Sequence, residues 1–573
     1  MIKKLPLLLA FAGLFLAGCN CHPDCNRSLI DITPVVGVVG DALVFPAEGG
    51  DKDATITTTL CWEVIDQPDW IESIVPNSGC GTTIVTCTAK PNATGTPRNN
   101  KITVRANNGD RAEILASQPA AAELSLKVNY TNGTYEMISV ASFKEIQFNV
   151  NHPDLMVRSI EAPVLNGGTE VLIGRKANET ITLLFDAAGN LLHRPADSEG
   201  CVPIGSYAEF QLLSSYSSGD SYNLSYKQEA NLDLMEEEWR PITTPGDFIW
   251  TGRFDGNGYF IDNLKIDYPD GSAGLFAEVS AAVISNLHIR SGSVKGTGTA
   301  GGICGVVQDS GSFISCSNAA TVEGQNRVGG IIGTTITGDN PIINCANSGK
   351  ITGTNYVGGI VGAGGNANIT NCSNSGEVTA LNYEVGGIIG QNINCSIVNS
   401  YNTGKIFGKS SVGGIAGTNR QNVIACFNAG SVGAEDENVG GVVGVSNAFW
   451  SNVIACYNTG ELISGYSPAT AGAVAGCNEW GNITACYNTG QGWPAGLVGN
   501  QTGTTTACFW KTGTAPTPFG TGAGVDIVEF TLPYIFTPNT TLYPEWTINP
   551  DGTGTVGYWK DYSTGGLPKL WWE

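Results

Sequence analysis

The sequence is poor in charged residues, and above all in basic ones. Charged residues make up 14% of the 573-residue chain, against about a quarter in typical soluble domains. The 51 acidic and 29 basic residues leave a net charge of −22, which argues against a nucleic-acid partner because phosphate binding needs clustered Lys and Arg. Of the four histidines, His152 and His193 have no Cys or carboxylate at metal-binding spacing. We therefore expect neither a metal nor a cofactor.

Long apolar runs are also missing, with one short exception at the N-terminus. Residues 5–17 are apolar and follow two lysines, but they are fewer than the roughly 18 residues that a membrane-spanning helix needs. A basic start before a short apolar run is typical of a signal peptide. No other segment approaches the length of a span, so we expect membrane attachment through the N-terminus alone.

The end of this run points to lipidation. Residues 16–19 are Leu-Ala-Gly-Cys, and the order of basic, apolar, small and Cys residues resembles the lipobox of bacterial lipoproteins. The resemblance implies a signal peptide over residues 1–18, a lipid on Cys19 and a lipid-anchored linker over residues 19–29. Asn20 implies transport to the outer membrane, so we expect a lipid-anchored protein exposed at the cell surface. The alternative is an ordinary secretory signal with an incidental cysteine.

Residues 30–120 predict a β-sandwich, because short β-prone runs alternate with turn clusters. The landmarks along this segment are Pro68-Asp69-Trp70-Ile71, Ile84-Val85-Thr86, Asn92, Arg98, Ile102-Thr103-Val104 and Gln118. They resemble the BACON domain, an immunoglobulin-like module of Bacteroidetes surface and secreted proteins. The resemblance implies either carbohydrate binding or a rigid spacer. Trp70 beside Ile71 is typical of a core, which favours the spacer.

Residues 121–228 continue the β pattern, as in the runs at 124–128 and 180–184. We expect a second β-sandwich-like domain here. Residues 186–190, Asp-Ala-Ala-Gly-Asn, lie between two apolar pairs and predict a hairpin loop.

A repeat dominates the rest of the chain. The block Val328-Gly329-Gly330-Ile331-Ile332-Gly333 recurs at residues 357–362, 385–390, 412–417 and 439–444, with weaker copies at 273–277, 300–305, 472–476 and 495–499. Most successive blocks are 27 to 29 residues apart. Two short apolar strands per repeat leave no room for a helix pair, so the period predicts a right-handed parallel β-helix with coils of about 28 residues.

A Cys-x-Asn motif runs in phase with this block. Stacked coils would align its cysteines into an inward ladder, with Ser400 in one coil: Cys316, Cys345, Cys372, Cys426, Cys456, Cys486 and Cys508. They would align its asparagines into a second ladder, in which stacked amides pair: Asn318, Asn347, Asn374, Asn402, Asn428, Asn458 and Asn488.

The repeat and the stretch Phe254-Asp255-Gly256-Asn257-Gly258-Tyr259 that precedes it resemble the GLUG-repeat family of bacterial surface proteins. The resemblance implies an adhesin-like role without a defined ligand. We assign residues 229–515 to the β-helix. Residues 516–573, rich in Trp and Tyr, are expected to cap its last coil, which would otherwise expose unpaired strand edges.

Catalytic chemistry is sparse in the repeat. Residues 301–500 hold ten acids, five bases and no histidine, and adjacent Glu435, Asp436 and Glu437 are more typical of a solvated loop than of a Ca²⁺ site. We therefore expect a non-catalytic protein that binds a glycan or a host or bacterial surface protein. The alternative is a polysaccharide lyase or hydrolase with a site near the start of the β-helix, where the candidate residues are Asp255, Asp262, Asp267, Asp270 and His288.

The cysteines raise the question of disulfides in an exported protein. Ladder neighbours have parallel Cβ directions, which disfavours bridging, so we expect buried thiols. Cys61, Cys80 and Cys87, and Cys21 with Cys25, could pair.

The residue between Cys and Asn should point outward, by the period of two along a strand. It is small in early coils and aromatic in later ones, giving a candidate ligand-stacking strip of Tyr401, Phe427, Tyr457, Tyr487 and Phe509. The alternative is that the C-terminal segment folds back over this strip, since an open aromatic stripe promotes aggregation.

Overall fold

The computed structural model describes residues 31–34, 42–47, 49–92, 96–120, 124–140, 144–150, 152–215, 224–242, 249–463, 470–531, 538, 540–548, 558–561 and 567–573. The predicted signal peptide, Cys19, Cys21, Cys25 and the linker lie outside them. The described residues confirm an all-β architecture, with N-terminal β-sheets followed by a parallel β-solenoid of about 10 turns with coils about 28 residues apart.

The first module consists of two sheets around one core. One sheet contains Asp31–Pro34, Gly50–Thr57, Ile71–Val75 and Thr83–Ala89; the other contains Ala42–Val44, Cys61–Asp66, Ser78–Cys80, Arg98–Ala106 and Arg111–Gln118. Alternate residues of both sheets pack inward, among them Trp62, Val85 and Ile114. Trp70 is 8% exposed and meets Phe45 edge-on, as its sequence context predicted.

One of the disulfide pairings left open in the first module is present. Cys61 and Cys80 lie directly opposite each other on antiparallel strands and are bridged. Cys87 remains a buried thiol, and burial raises its pKa to about 12.

The second module is also a pair of antiparallel sheets. The strands are Leu124–Tyr130, Tyr135–Val140, Met156–Glu161 and Val171–Lys176 in one sheet, and Glu145–Asn149, Thr180–Phe185 and Leu191–Leu192 in the other, with a short 3₁₀ turn at Leu165–Gly167. Val128, Phe148, Ile160 and Ile181 belong to the core that both sheets share. The predicted hairpin loop at 186–190 joins two paired strands.

The solenoid has three faces, each a ladder of parallel strands. Face 1 contains Cys201–Ile204, Ser225–Gln228, Arg253–Asp255, Val283–Ser285, Ser312–Ile314, Pro341–Ile343, Ala367–Thr370, Cys395–Val398, Asn422–Ile424, Asn452–Ile454, Asn482–Thr484 and Thr504–Thr506. Face 2 contains Leu232–Asp233, Phe260–Asp262, His288–Ile289, Ser317–Asn318, Ala346–Asn347, Ser373–Asn374, Tyr401–Asn402, Phe427–Asn428, Tyr457–Asn458, Tyr487–Asn488, Phe509–Lys511 and Val528–Phe530.

Face 3 is bent and receives up to three strands from each coil. Its strands are Leu264–Tyr268, Phe276–Ser280, Gly292–Gly296, Ala300–Gly301, Cys304–Asp309, Thr321–Glu323, Asn326–Gly329, Ile332–Thr337, Ile351–Gly353, Asn355–Gly358, Val361–Gly364, Val378–Ala380, Tyr383–Gly386, Ile389–Asn392, Ile406–Gly413, Ala416–Asn419, Val432–Gly440, Val443–Ser446, Ala471–Gly472, Ala475–Asn478, Ala495–Gln501 and Thr517–Thr521. The bends require close backbone approaches. A Cβ at Gly359, for example, would overlap the carbonyl oxygen of Gly387 and the side chain of Asn374.

The solenoid begins earlier than the predicted boundary at residue 229. Cys201–Ile204 already pairs in parallel with Ser225–Gln228. Between these strands lies the helix Tyr207–Ser215, whose start is a variant of the capping box. Ser206 Oγ accepts from the Glu209 backbone N–H, and the Glu209 carboxylate accepts from Gly205 N–H, one residue before Ser206. Phe210 of this helix stacks on Trp239, so the helix covers the N-terminal end of the solenoid core.

Both predicted ladders lie inside the solenoid. Each of the seven ladder asparagines is at most 2% exposed. The side-chain amides of the first six each donate to the next asparagine in the ladder over 2.8 to 3.0 Å, and the amide of the last, Asn488, donates to Gly490 O. The ladder cysteines are buried free thiols, and Ser400 takes the place of Cys with its hydroxyl donating to the Val398 carbonyl oxygen at 2.9 Å. Buried amides that satisfy one another hold the coils in register.

Candidate binding groove on the solenoid

The outward residues of face 2 form one continuous row along the solenoid. Parallel pairing aligns Phe260, His288, Ser317, Ala346, Ser373, Tyr401, Phe427, Tyr457, Tyr487 and Phe509. The row is small at its centre and aromatic at both ends. Its two halves have different surroundings.

The long aromatic half is a stack of nearly parallel rings. The ring centroids of Tyr401 and Phe427 are 5.0 Å apart, those of Phe427 and Tyr457 4.9 Å, and those of Tyr457 and Tyr487 4.8 Å, with interplanar angles of 5 to 8°. This spacing is that of neighbouring strands in a sheet, so the rings stack because the coils do.

The C-terminal segment covers this stack. The segment includes a 3₁₀ turn at Pro544–Trp546 and the paired strands Trp559–Asp561 and Lys569–Leu570. Trp572 stacks on Tyr401 and Phe427 with centroids 6.0 and 5.7 Å away. Trp559 lies 5.7 Å from Tyr487, and Trp546 lies 5.0 Å from Phe509.

Hydrogen bonds fix the covering segment in place. The Tyr457 hydroxyl donates to the Glu573 carboxylate at 2.9 Å, and the Tyr487 hydroxyl donates to the Pro568 carbonyl oxygen at 2.7 Å. Burial and the neighbouring Glu573 carboxylate raise the pKa of Tyr457 above its usual range. This segment acts as a cap on the side of the last coils.

The sequence left open whether the candidate ligand-stacking strip is exposed or covered, and the structure shows it covered. Tyr457, Tyr487 and Phe509 are 6%, 1% and 4% exposed, and the half-buried Tyr401 and Phe427 lie under Trp572. The physical reason is that a stack of exposed rings gains more by packing against the tryptophans of its own chain than by remaining in water. The alternative, coverage by the C-terminal segment, is the arrangement observed.

The remaining part of the row is an open groove of about 380 Å³. Its floor is formed by Ser317, Ala346 and Ser373, and a second row along its side includes Ser348 and Ser375. From His288 to Tyr401 the row spans four coil steps, or about 19 Å at about 4.8 Å per step. The floor is low because these coils carry small residues where later coils carry rings.

The N-terminal wall of the groove combines an aromatic ring with a cation. Phe260 is 37% exposed, and the Arg290 guanidinium lies 5.1 Å from its ring centroid. Arg290 also forms a two-pronged ion pair with Asp262, which raises the pKa of Arg290 further above its usual value. The cation is thereby neutralised and oriented.

His288 lies in the same wall as an uncharged group. Its Nδ1 lies 2.9 Å from the Ser317 hydroxyl, and burial lowers the pKa of His288 below its usual 6.5. No residue lining the groove is an Asp or a Glu. The groove therefore offers serine and threonine hydroxyls, backbone polar groups and an aromatic residue at each end, and it has little net charge.

The residues of the enzyme alternative do not meet at one site. Asp255 lies on face 1, Asp262 on face 2 and Asp267 on face 3, and Asp270 follows in a turn. Asp255 is 9% exposed and accepts from the Asn257 backbone N–H and the Asn286 amide. Of the five, only His288 lines the groove, whereas glycoside hydrolysis ordinarily needs two facing carboxyl groups.

The described residues contain no group of three or more His, Cys, Asp or Glu side chains able to hold a metal. Glu435, Asp436 and Glu437 are exposed on the strand Val432–Gly440 rather than at a loop tip. No helix in the described part of the chain is long and apolar enough to cross a membrane.

The groove was missed at the sequence level, although its floor residues stand at the position that was singled out. The sequence feature that indicates the groove is the change along one row from the small residues Ser317, Ala346 and Ser373 to the aromatic residue Tyr401. Small residues that follow aromatic residues along one row leave a depression between the rings.

Family comparisons support two of the modules. Residues 62–118 match the BACON family, described as a candidate N-terminal binding domain, and residues 353–379 and 382–406 match the GLUG motif. The chain contains a BACON domain and GLUG motifs. They are the features of a surface or binding protein.

Parts of the chain are also similar to one curated protein and to solved structures. Halomucin of Haloquadratum walsbyi (strain DSM 16790 / HBSQ001) is 30% identical over 255 residues, which are 41% of this chain but 3% of halomucin. A Bacteroides ovatus GH5 xyloglucanase, solved with a XXXG heptasaccharide, is 23% identical over 14% of this chain and 18% of its own, with a TM-score of 0.14. A candidate immunoglobulin A1 protease from Bacteroides ovatus is 18% identical over 68% of this chain and 97% of its own, with a TM-score of 0.38.

Proposed function

We propose that this chain is a non-catalytic, lipid-anchored protein of the outer-membrane surface whose solenoid binds neutral glycans. The observation that carries the proposal is the groove on face 2, which has little net charge and is open between Phe260 and Tyr401 where the cap ends. Aromatic rings stack on the apolar faces of sugar rings, and serine hydroxyls and backbone groups exchange hydrogen bonds with sugar hydroxyls.

The charge of the chain favours a neutral ligand. A net charge of −22 repels acidic polysaccharides over the distance of a Debye length, and the one cation in the groove wall is already paired with Asp262. The groove lining contains no carboxylate and therefore lacks the pair of carboxyl groups that glycoside hydrolysis ordinarily needs, which supports binding without cleavage.

The BACON domain fits the role of a spacer in this proposal. Trp70, the aromatic landmark that would be a natural sugar platform, is 8% exposed and packs against Phe45. The first module thus offers no open ring at this position.

The binding experiment is a glycan array with the mature protein, followed by Ala346→Arg. This change fills the floor of the groove with a long charged side chain, and we expect binding of neutral glycans to fall at least about tenfold, or about 1.4 kcal/mol. Thr352→Arg, at a half-buried outward position on face 3 of the same coil, is the matched control. Equal binding by both variants would show that the groove is not the site.

A second variant tests the wall. Phe260→Ala removes one exposed ring, and we expect binding to weaken about fivefold, since a ring contact contributes about 1 kcal/mol. Release of reducing ends from a bound polysaccharide would instead establish an enzyme.

The anchor is tested separately. Cells grown with a labelled fatty acid should incorporate the label into the wild-type chain and not into Cys19→Ser, and protease added to intact cells should degrade the protein. A labelled Cys19→Ser variant, or full protection from protease, would contradict the proposed attachment or the proposed surface exposure, respectively.

A further inference from the structure

Three large aromatic side chains project from turns that join face 3 to face 1. Phe449, Trp450 and Trp480 are 69%, 63% and 54% exposed. Phe449 and Trp480, on neighbouring coils, lie with ring centroids 4.9 Å apart. Exposed apolar groups that gather in this way mark interaction surfaces, because folding gains little from leaving them in water.

These turns are longer than the equivalent turn of the coil before them. Two residues, 420–421, link Ala416–Asn419 to Asn422–Ile424, whereas five residues, 447–451, link Val443–Ser446 to Asn452–Ile454. Three residues, 479–481, form the turn in the following coil. The exposed rings are therefore carried by extra residues that the solenoid does not need for stacking.

The five-residue turn is held by its own contacts. The Ser451 hydroxyl donates to the Ala448 carbonyl oxygen at 2.7 Å and lies 2.8 Å from the Ser446 hydroxyl. A Cβ at Gly481 would overlap both serine hydroxyls, so the turn of the next coil packs directly on this one. A platform held in this way loses little conformational entropy when it binds a ligand.

A row of side-chain amides begins directly beside the rings. The Asn452 amide donates to Asn422 Oδ1 at 2.8 Å, and the Asn482 amide donates to Asn452 Oδ1 at 3.2 Å. All three asparagines are half-buried at the outer surface of face 1. An asparagine side chain can donate a hydrogen bond to a hydroxyl group through its NH₂ group and accept one through its carbonyl oxygen.

Rings beside neutral amides match the two surfaces of a sugar, which has an apolar face of C–H groups and an edge of hydroxyls. An anionic lipid surface fits less well, because the chain carries a net charge of −22 and such a surface attracts polybasic segments. We propose that Phe449, Trp450 and Trp480 form a second saccharide-binding site, separate from the groove on face 2.

The experiment uses the mature protein with Trp450→Ala and Trp480→Ala, singly and together, on the same glycan array. We expect at least one saccharide to bind about tenfold more weakly to each single variant, with unchanged thermal unfolding because both side chains are exposed. Leu381→Ala, which removes a side chain that is 70% exposed on a turn of face 3, is the matched control and should bind as the wild type does.

The groove variant separates this proposal from the proposed function. Ala346→Arg should leave the saccharides that depend on Trp450 bound, whereas the double tryptophan variant should leave the groove ligands bound. A bound saccharide should also protect tryptophan fluorescence from acrylamide in the wild type and not in the double variant.

Three results would overturn the second site: no saccharide whose binding depends on Trp450 or Trp480, binding to phosphatidylcholine vesicles that the double variant loses, or self-association in sedimentation that the double variant loses. The last two would assign the rings to a membrane or to a second copy of this chain.

Discussion

The asparagine ladder gives a quantitative prediction at Asn402. Its side chain is 0% exposed and takes part in four hydrogen bonds: it donates to Gly404 O and Asn428 Oδ1, both at 2.8 Å, and accepts from the Asn374 amide at 2.8 Å and from Gly404 N–H at 3.2 Å. At about 1 kcal/mol for each bond, and with the Gly404 groups left buried without this partner, Asn402→Leu should cost about 4 kcal/mol.

Asn402→Asp adds a pH signature to the same test. A buried carboxylate would face the oxygens of Gly404 and Asn428, so the folded state should raise the pKa of the new side chain above its unfolded value of about 3.9. A group whose pKa is raised on folding contributes stability below the unfolded pKa and loses it as the pH rises through the folded pKa. The aspartate variant should therefore be less destabilised at low pH than at neutral pH, relative to the wild type.

The measurement is urea unfolding followed by far-UV circular dichroism, comparing midpoints at two pH values. Asn394→Leu, which changes an exposed amide, should shift the unfolding free energy by no more than about 0.5 kcal/mol. If Asn402→Leu unfolds within about 1 kcal/mol of the wild type, the ladder does not hold the coils together.

Three further predictions concern the cap, the first module and the groove wall. Tyr487→Phe leaves the Pro568 carbonyl oxygen without its donor, and calorimetry should show a loss of about 1 to 2 kcal/mol; an unchanged melting temperature would show that this bond does not hold the cap. Replacing both Cys61 and Cys80 with serine removes a disulfide between residues 19 positions apart, and urea unfolding should show the first module destabilised by about 3 kcal/mol. As a control, the variant and the reduced wild type should unfold at the same urea concentration. If the variant is as stable as the oxidised wild type, the prediction is wrong. Burial lowers the pKa of His288 in the folded state, so the contribution of His288 to stability is full above about pH 6.5 and declines as the pH falls below it. His288→Gln should therefore lose less stability than the wild type between neutral and mildly acidic pH in urea unfolding. Equal losses would show that the pKa of His288 is not lowered by burial.

The internal architecture of the solenoid was accessible from sequence because each coil contacts its neighbours through equivalent positions. Once Val328–Gly333 was aligned with its copies, the inward placement of Cys345 and Asn347 followed from the period of two. The helix Tyr207–Ser215 was not predicted, although Ser206 and Glu209 carry the spacing of a capping box. It is a single short helix in a β-rich stretch, where the local signal is weak.

By itself, the sequence determined what repeats: the coil length, the two buried ladders and the row of outward residues on face 2. Only the tertiary structure decided which part of that row is open. The Tyr457 hydroxyl meets Glu573 across 116 residues and the Trp572 ring nitrogen meets Ala425 across 147, and no period relates such partners. The cap buries the rings because contacts between residues far apart in the chain depend on the path of the folded chain, whereas ladder contacts depend only on neighbouring coils.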